Sequence, residues 1–116
     1  MGNIKICVIG AGRWGKNHIR TLFELGALGG VVDPDAQQRN KIKDLFPQTA
    51  CFDSLENTFQ SFFDGYVVAT PPVTHLDLVK DILKNKTPVL VEKPLTLSVE
   101  AGMKIQSLIK ILDGKL

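Results

Sequence analysis

The sequence predicts an α/β protein built on a doubly wound, open parallel sheet with helices on both faces. Three observations carry that expectation. Short apolar runs alternate with helical periods along all 116 residues. A turn-forming or charged residue closes each run, and no repeat, linker or low-complexity segment interrupts the alternation. Strands separated by helical stretches of this length read as βαβ units, which lie parallel. The right-handed crossover preference then favours a single open sheet, with strand order 3-2-1-4-5.

The elements follow in order. Ile4 to Ile9 is a β-branched run ending at Gly10-Ala11-Gly12, the pattern of a strand buried on both faces. From Arg13 to about Leu25 the period turns helical. Ile19, Leu22 and Phe23 form its apolar stripe and Gly26 stops it. Leu28 to Val32 reads as the second strand, ended by Asp33-Pro34. Asp35 or a neighbour caps a helix through about Phe46, with Ile42, Leu45 and Phe46 inward and Pro47 closing it. Ala50 to Phe52 is a short third strand. Ser54 is expected to cap a further helix, with Leu55, Phe59, Phe62 and Phe63 on one face.

Tyr66 to Ala69 is the fourth strand, punctuated by Thr70-Pro71-Pro72. The helix after it reaches about Lys84, with Leu76, Val79 and Leu83 inside. Pro88 to Val91 is the fifth strand and leads into Glu92-Lys93-Pro94. Ser98 caps a last helix whose Val99, Met103, Leu108, Ile109 and Leu112 face inward. Residues 1–116 therefore read as one domain.

Composition narrows the function classes. Fourteen basic and twelve acidic residues give a net charge of +2, spread along the chain. That balance argues against nucleic acid and against an anionic membrane as partners. Two cysteines, Cys7 and Cys51, form neither a metal pattern nor a disulfide framework, so no metal is expected. Without a signal peptide or a stretch near the roughly 20 apolar residues needed to span a bilayer, a cytoplasmic location is expected.

Gly10-Ala11-Gly12-Arg13-Trp14-Gly15 is a GxGxxG run between the first strand and the first helix. Alone it is a weak signal; its strand-to-helix context strengthens it. Gly10 permits the tight turn, Gly12 lets backbone approach a pyrophosphate, and Gly15 lets helix and strand pack closely. The helix N-terminus offers free N–H groups and a positive dipole end to the phosphates. Arg13 and Trp14 join the glycines as candidate cofactor contacts, although Trp14, like His18, also reads as a packing residue. Asp33 stands at the end of the second strand, placed to accept hydrogen bonds from an adenosine ribose. It would repel a 2′-phosphate, and Pro34-Asp35 rather than Arg or Lys follow it, so NAD is expected over NADP.

Strands one and four flank the topological switch point of such a sheet, so Thr70 and Pro71 should line the cofactor groove. Pro72 suits a first helical turn. His75 reads either as a packing residue or as a group facing the ligand. Glu92 and Lys93 close the fifth strand at the same edge. Lys93 is a candidate to steady a developing alkoxide as hydride leaves the adjacent carbon, with Glu92 supporting it or the loop; a solvated lysine is the other reading.

Together the runs Gly10 to Gly15, Val32-Asp33, Ala69-Thr70-Pro71-Pro72 with His75, and Val91-Glu92-Lys93-Pro94-Leu95 resemble the N-terminal Rossmann domain of the glucose–fructose oxidoreductase/inositol dehydrogenase group, Gfo/Idh/MocA. The resemblance implies an NAD-dependent dehydrogenase, with Lys93 beside the nicotinamide and touching the substrate's reacting hydroxyl. Gly12 to His18 with Glu24 to Leu28 look most like members acting on nucleotide-linked sugars. Family members carry a second domain that supplies most sugar contacts and the oligomer interface. The resemblance thus implies a homo-oligomer and a chain that is catalytically incomplete without that domain. Two other readings remain: a non-enzymatic NAD-binding or sensing module, and a Rossmann domain for another nucleotide-like ligand.

Overall fold

The computed structural model describes residues 4–91, with the side chains of Trp14 and Pro72 left aside. The expected last helix and the candidates Glu92 and Lys93 lie outside the described residues. The elements are β1 (Ile6–Ile9), α1 (Arg13–Glu24), β2 (Leu28–Val32), α2 (Ala36–Leu45), β3 (Ala50–Phe52), β4 (Gly65–Val68), α3 (His75–Lys84) and β5 (Val89–Val91). All pairings are parallel and the order is β3-β2-β1-β4-β5, as the alternation of periods predicts.

Strand alternation divides the core into two layers. Val8, Val31 and Val67 face α1 and α2, where Ile19 and Ile42 close over them. Cys7, Ile9, Tyr66, Val68 and Val89 point the other way, against Val79, Ile82 and Leu83 of α3. Each such fully buried aliphatic side chain contributes about 1.5–3 kcal/mol relative to exposure, so both layers are needed. The cap expected for α2 forms: the Asp35 side chain accepts the Gln37 N–H at 2.9 Å.

The stretch from Ser54 to Phe63 departs from expectation. Only the 3-10 turn Glu56–Thr58 forms there, and Phe62 is 78% exposed. Residues 53–64 must carry the chain from one side of β1 to the other, and side-chain anchors replace a helix. Leu55 and Phe63 are buried, and Thr58 Oγ1 pairs with the Tyr66 hydroxyl at 2.8 Å. Phe63 packs edge-on against both Phe52 and Tyr66. Its ring lies over β2, where a Cβ at Gly30 would come within 2.9 Å of it. Two stripe residues are also corrected. Leu45 is exposed, and Phe23 is half out of the core, packed at a tilt against Phe46 with ring centroids 4.7 Å apart.

Register sets the site. Ile9 lies level with Val32 on one side and Val68 on the other, and Val68 is level with Val91. The carboxyl ends of β1, β2, β4 and β5 therefore form one edge. Gly10, Asp33 and Ala69 leave that edge side by side.

Candidate functional site

The turn after β1 is held from both neighbours. The Gly10 N–H donates to Val32 O at 2.7 Å, and the Ala69 N–H donates to Ile9 O at 2.9 Å. Gly10 has φ +99°, a left-handed conformation that glycine alone adopts without strain. The chain then turns into α1 so tightly that a Cβ at Gly15 would stand 1.7 Å from Gly10 O. Gly12 is the opposite case: it is exposed, and a Cβ there would meet nothing within 4 Å. Space over Gly12 is what close approach by a phosphate requires.

Helix α1 begins at Gly12 with no side-chain cap and no acidic residue in its first turn. With no cap side chain at Gly12, the start of α1 is open on that side, and the dipole end is positive. Arg13 is exposed at this terminus. Uncapped donors beside an open glycine fit a diphosphate.

Asp33 sits where β2 ends. Its Oδ2 accepts the Ala11 N–H at 2.9 Å and its Oδ1 accepts the Asp35 N–H at 2.9 Å. Each oxygen keeps a second lone pair, so the carboxylate can still accept ribose hydroxyls. The half-buried side chain therefore arrives oriented, with its partners already engaged.

On the β4 side, Thr70 is half-buried and Pro71 exposed. Thr74 Oγ1 donates to Pro71 O at 2.7 Å, so the Thr70 hydroxyl is the donor in its bond to Thr74 Oγ1. His75 Nε2 lies 2.8 Å from Thr70 O; a carbonyl only accepts, so Nε2 carries the proton. The His75 ring is 1% exposed. Burial and the bond to Thr70 O agree with the packing reading of His75, and the ring holds the carbonyl of the residue that leaves β4.

The structure thus brings Gly10, Gly12, Arg13, Gly15, Asp33, Thr70 and Pro71 to one edge. It adds Ala11 and Arg39, neither singled out from the sequence. Ala11 matters through its N–H, which no residue type signals. Arg39 lies on α2 and returns to the Asp33 main chain, a contact that helical spacing from the Asp35 cap makes possible. Cys7 and Cys51 take no part: burial pushes the Cys7 thiol up to about 12 and also raises Cys51. Among the described residues, no group of three or more His, Cys, Asp or Glu is placed to hold a metal ion. None of their helices is long and apolar enough to cross a membrane.

A glycine turn, an uncapped helix start and an oriented carboxylate meeting at the switch point define a dinucleotide-binding domain. The model of the oxidoreductase family with an NAD-binding Rossmann fold, GFO_IDH_MocA, matches residues 4–115, and the chain belongs to that family. Inositol 2-dehydrogenase of Pseudarthrobacter chlorophenolicus is 34% identical over 106 residues, covering 88% of this chain and 32% of that protein. Rhizopine catabolism protein MocA of Rhizobium meliloti is 33% identical over 111 residues, covering 90% and 33%. Among solved structures, the WlbA dehydrogenase from Bordetella pertussis, in complex with NADH and UDP-GlcNAcA, superposes with a TM-score of 0.91. It is 23% identical, with 100% of this chain and 36% of that one covered, which speaks to the fold. Apo scyllo-inositol dehydrogenase from Lactobacillus casei gives 0.86 at 24% identity, covering 97% and 35%. The chain spans about one third of the length of the relatives it matches.

Proposed function

We propose that this chain supplies the NAD(H) site of a dehydrogenase acting on a hydroxyl-bearing carbon of a sugar, cyclic polyol or nucleotide sugar. The observation that carries the reading is the Asp33 carboxylate, bonded to Ala11 N–H beside the uncapped start of α1. That pairing sets a ribose acceptor and a diphosphate donor set on one continuous edge. When bound, NAD(H) supplies the hydride acceptor or donor; the protein's part is placement and charge. The α1 N-terminus holds the diphosphate, and Gly12 leaves it room. Asp33 takes the adenosine ribose and disfavours a 2′-phosphate. Thr70 and Pro71, fixed by Thr74 and His75, border the nicotinamide half of the groove.

Lys93 lies two residues after β5 in the sequence and is assigned here to the reacting hydroxyl, with Glu92 supporting it. An ammonium at that oxygen stabilises the alkoxide that develops as the C–H bond breaks. Substrate contacts beyond Lys93, a homo-oligomeric assembly and a cytoplasmic location belong to the same reading. The relatives named for inositol dehydrogenation and the WlbA complex with UDP-GlcNAcA support a polyol or sugar substrate class.

The test uses the full-length polypeptide. NAD-dependent oxidation of an inositol or of UDP-GlcNAcA is measured with and without Lys93→Ala. Turnover that falls at least about a hundredfold in the variant, with NADH still bound, supports the assignment. Turnover unchanged in Lys93→Ala contradicts it. Bound NADH without oxidation of any sugar or polyol favours a binding module instead.

A further inference from the structure

Arg39 is the residue of the site region that neither the glycine loop nor the ribose carboxylate accounts for. It stands on α2, where a solvated side chain would be unremarkable. Instead its Nη1 donates to Asp33 O at 2.8 Å and to Pro34 O at 2.9 Å. Those two carbonyls belong to the turn that carries the Asp33 carboxylate.

The hydrogen bonds of that turn are otherwise accounted for. Asp33 N–H donates to Phe52 O at 3.0 Å, which extends the β2–β3 ladder by one residue. Pro34 has no N–H to give. Asp35 N–H is held by Asp33 Oδ1, and Asp35 O accepts the Arg39 N–H at 3.1 Å. The two carbonyls held by Arg39 complete the set. Both bonds come from one nitrogen, Nη1, so a single cationic donor group ties the two peptide groups together.

We propose that Arg39 is a positioning residue for ribose recognition, holding the Asp33-Pro34 turn so that the Asp33 carboxylate stays bonded to Ala11 N–H. The inference rests on the reading of Asp33 as the adenosine-ribose acceptor. With Arg39 intact, the carboxylate needs no reorganisation on binding, and ordering costs are already met in the free protein. Without it, the peptide groups of Asp33 and Pro34 turn toward water and the carboxylate samples other rotamers. NADH then loses affinity. NADPH, which gains nothing from Asp33, loses little.

The experiment is calorimetric titration of the chain, unsubstituted and as Arg39→Met and Arg39→Lys, with NADH and separately with NADPH. Melting temperatures are recorded alongside. The expected result is a rise of about tenfold in the NADH Kd of Arg39→Met, one charge-assisted hydrogen bond's worth. Its NADPH Kd changes less than about threefold, so the preference for NADH shrinks. Arg39→Lys restores most of the loss, because one ammonium carries enough donors for both carbonyls. An unchanged NADH Kd in Arg39→Met overturns the proposal while leaving the NAD reading intact. Selective loss of NADPH overturns it in favour of a phosphate contact. Equal weakening of both dinucleotides with a lower melting temperature overturns it in favour of a scaffold role; if Arg39→Met does not fold, a tight NADH site in Arg39→Lys still supports it and a lost one contradicts it. Failure of the unsubstituted chain to bind NADH removes the reading and the proposal together.

Discussion

Asp33 Oδ2 accepts the Ala11 N–H at 2.9 Å, joining the end of β2 to the turn after β1. The proposed ribose acceptor and the proposed phosphate cradle are thereby one hydrogen-bonded unit. A change at Asp33 should consequently be felt in the glycine turn as well as in ribose binding. Asp33→Ala leaves the Ala11 and Asp35 N–H groups without their acceptor. The expected outcome is a loss of about 1–3 kcal/mol of stability in denaturant unfolding, the usual consequence of orphaned donors. NADH affinity should fall by tenfold or more in the same variant, read by calorimetry.

The glycines of the loop separate into two kinds. Gly15→Ala would put a methyl 1.7 Å from Gly10 O, so α1 has to move away from β1. Its melting temperature should fall by roughly 10 °C or more, since a displaced helix costs more than about 2 kcal/mol in a domain this size. Gly12→Ala meets nothing within 4 Å and should melt within about 2 °C of the unsubstituted chain. Its NADH affinity should nonetheless drop, because the methyl occupies space that the diphosphate needs. Thermal melts of the pair, with NADH titrations, check both statements.

His75 provides a third test. His75→Leu keeps apolar volume in the buried position but leaves Thr70 O without its donor. A destabilisation of about 1–3 kcal/mol is expected in urea unfolding. His75→Gln, which can donate from its amide, should recover part of that loss.

The buried thiol sets a pH dependence. Cys7 is raised from 9.0 to about 12 by burial and, second, by Cys51. Raised folded-state values mean that the neutral thiol favours the fold. This contribution is fully present below pH 9 and is lost as pH climbs from 9 toward 12, because the unfolded chain releases its proton first. Stability should decline over that window, and Cys7→Ala should flatten the decline. Tyr66, raised by burial against the opposing Thr58 hydrogen bond, acts in the same direction and leaves a residual slope. Urea unfolding at pH 8, 9, 10 and 11 measures it.

Much of this architecture was legible because it rests on local signals. Periodicity located β1 to β3, α1, α2 and the strands of the second half, and the crossover rule ordered them. The glycine spacing and Asp33 stood out for the same reason: turn chemistry is written in residue type. The stretch after Ser54 is not legible locally, because four apolar residues at helical spacing do not reveal whether they share a face. In the structure Phe63 is drawn under β2 by Gly29 and Gly30 while Phe62 points to solvent. That choice is tertiary. The role of Arg39 has no sequence signal for a related reason, since its contacts are with carbonyls that every residue possesses. For His75 the residue type leaves packing and ligand contact equally open, and burial depends on how α3 seats against β4.

Calorimetric titration of the chain with NADH, set beside Asp33→Ala, tests the central claim most directly. Saturable one-to-one binding that weakens at least about tenfold in the variant is the expected result. Binding unaffected by Asp33→Ala, or no binding of NADH at all, would contradict it.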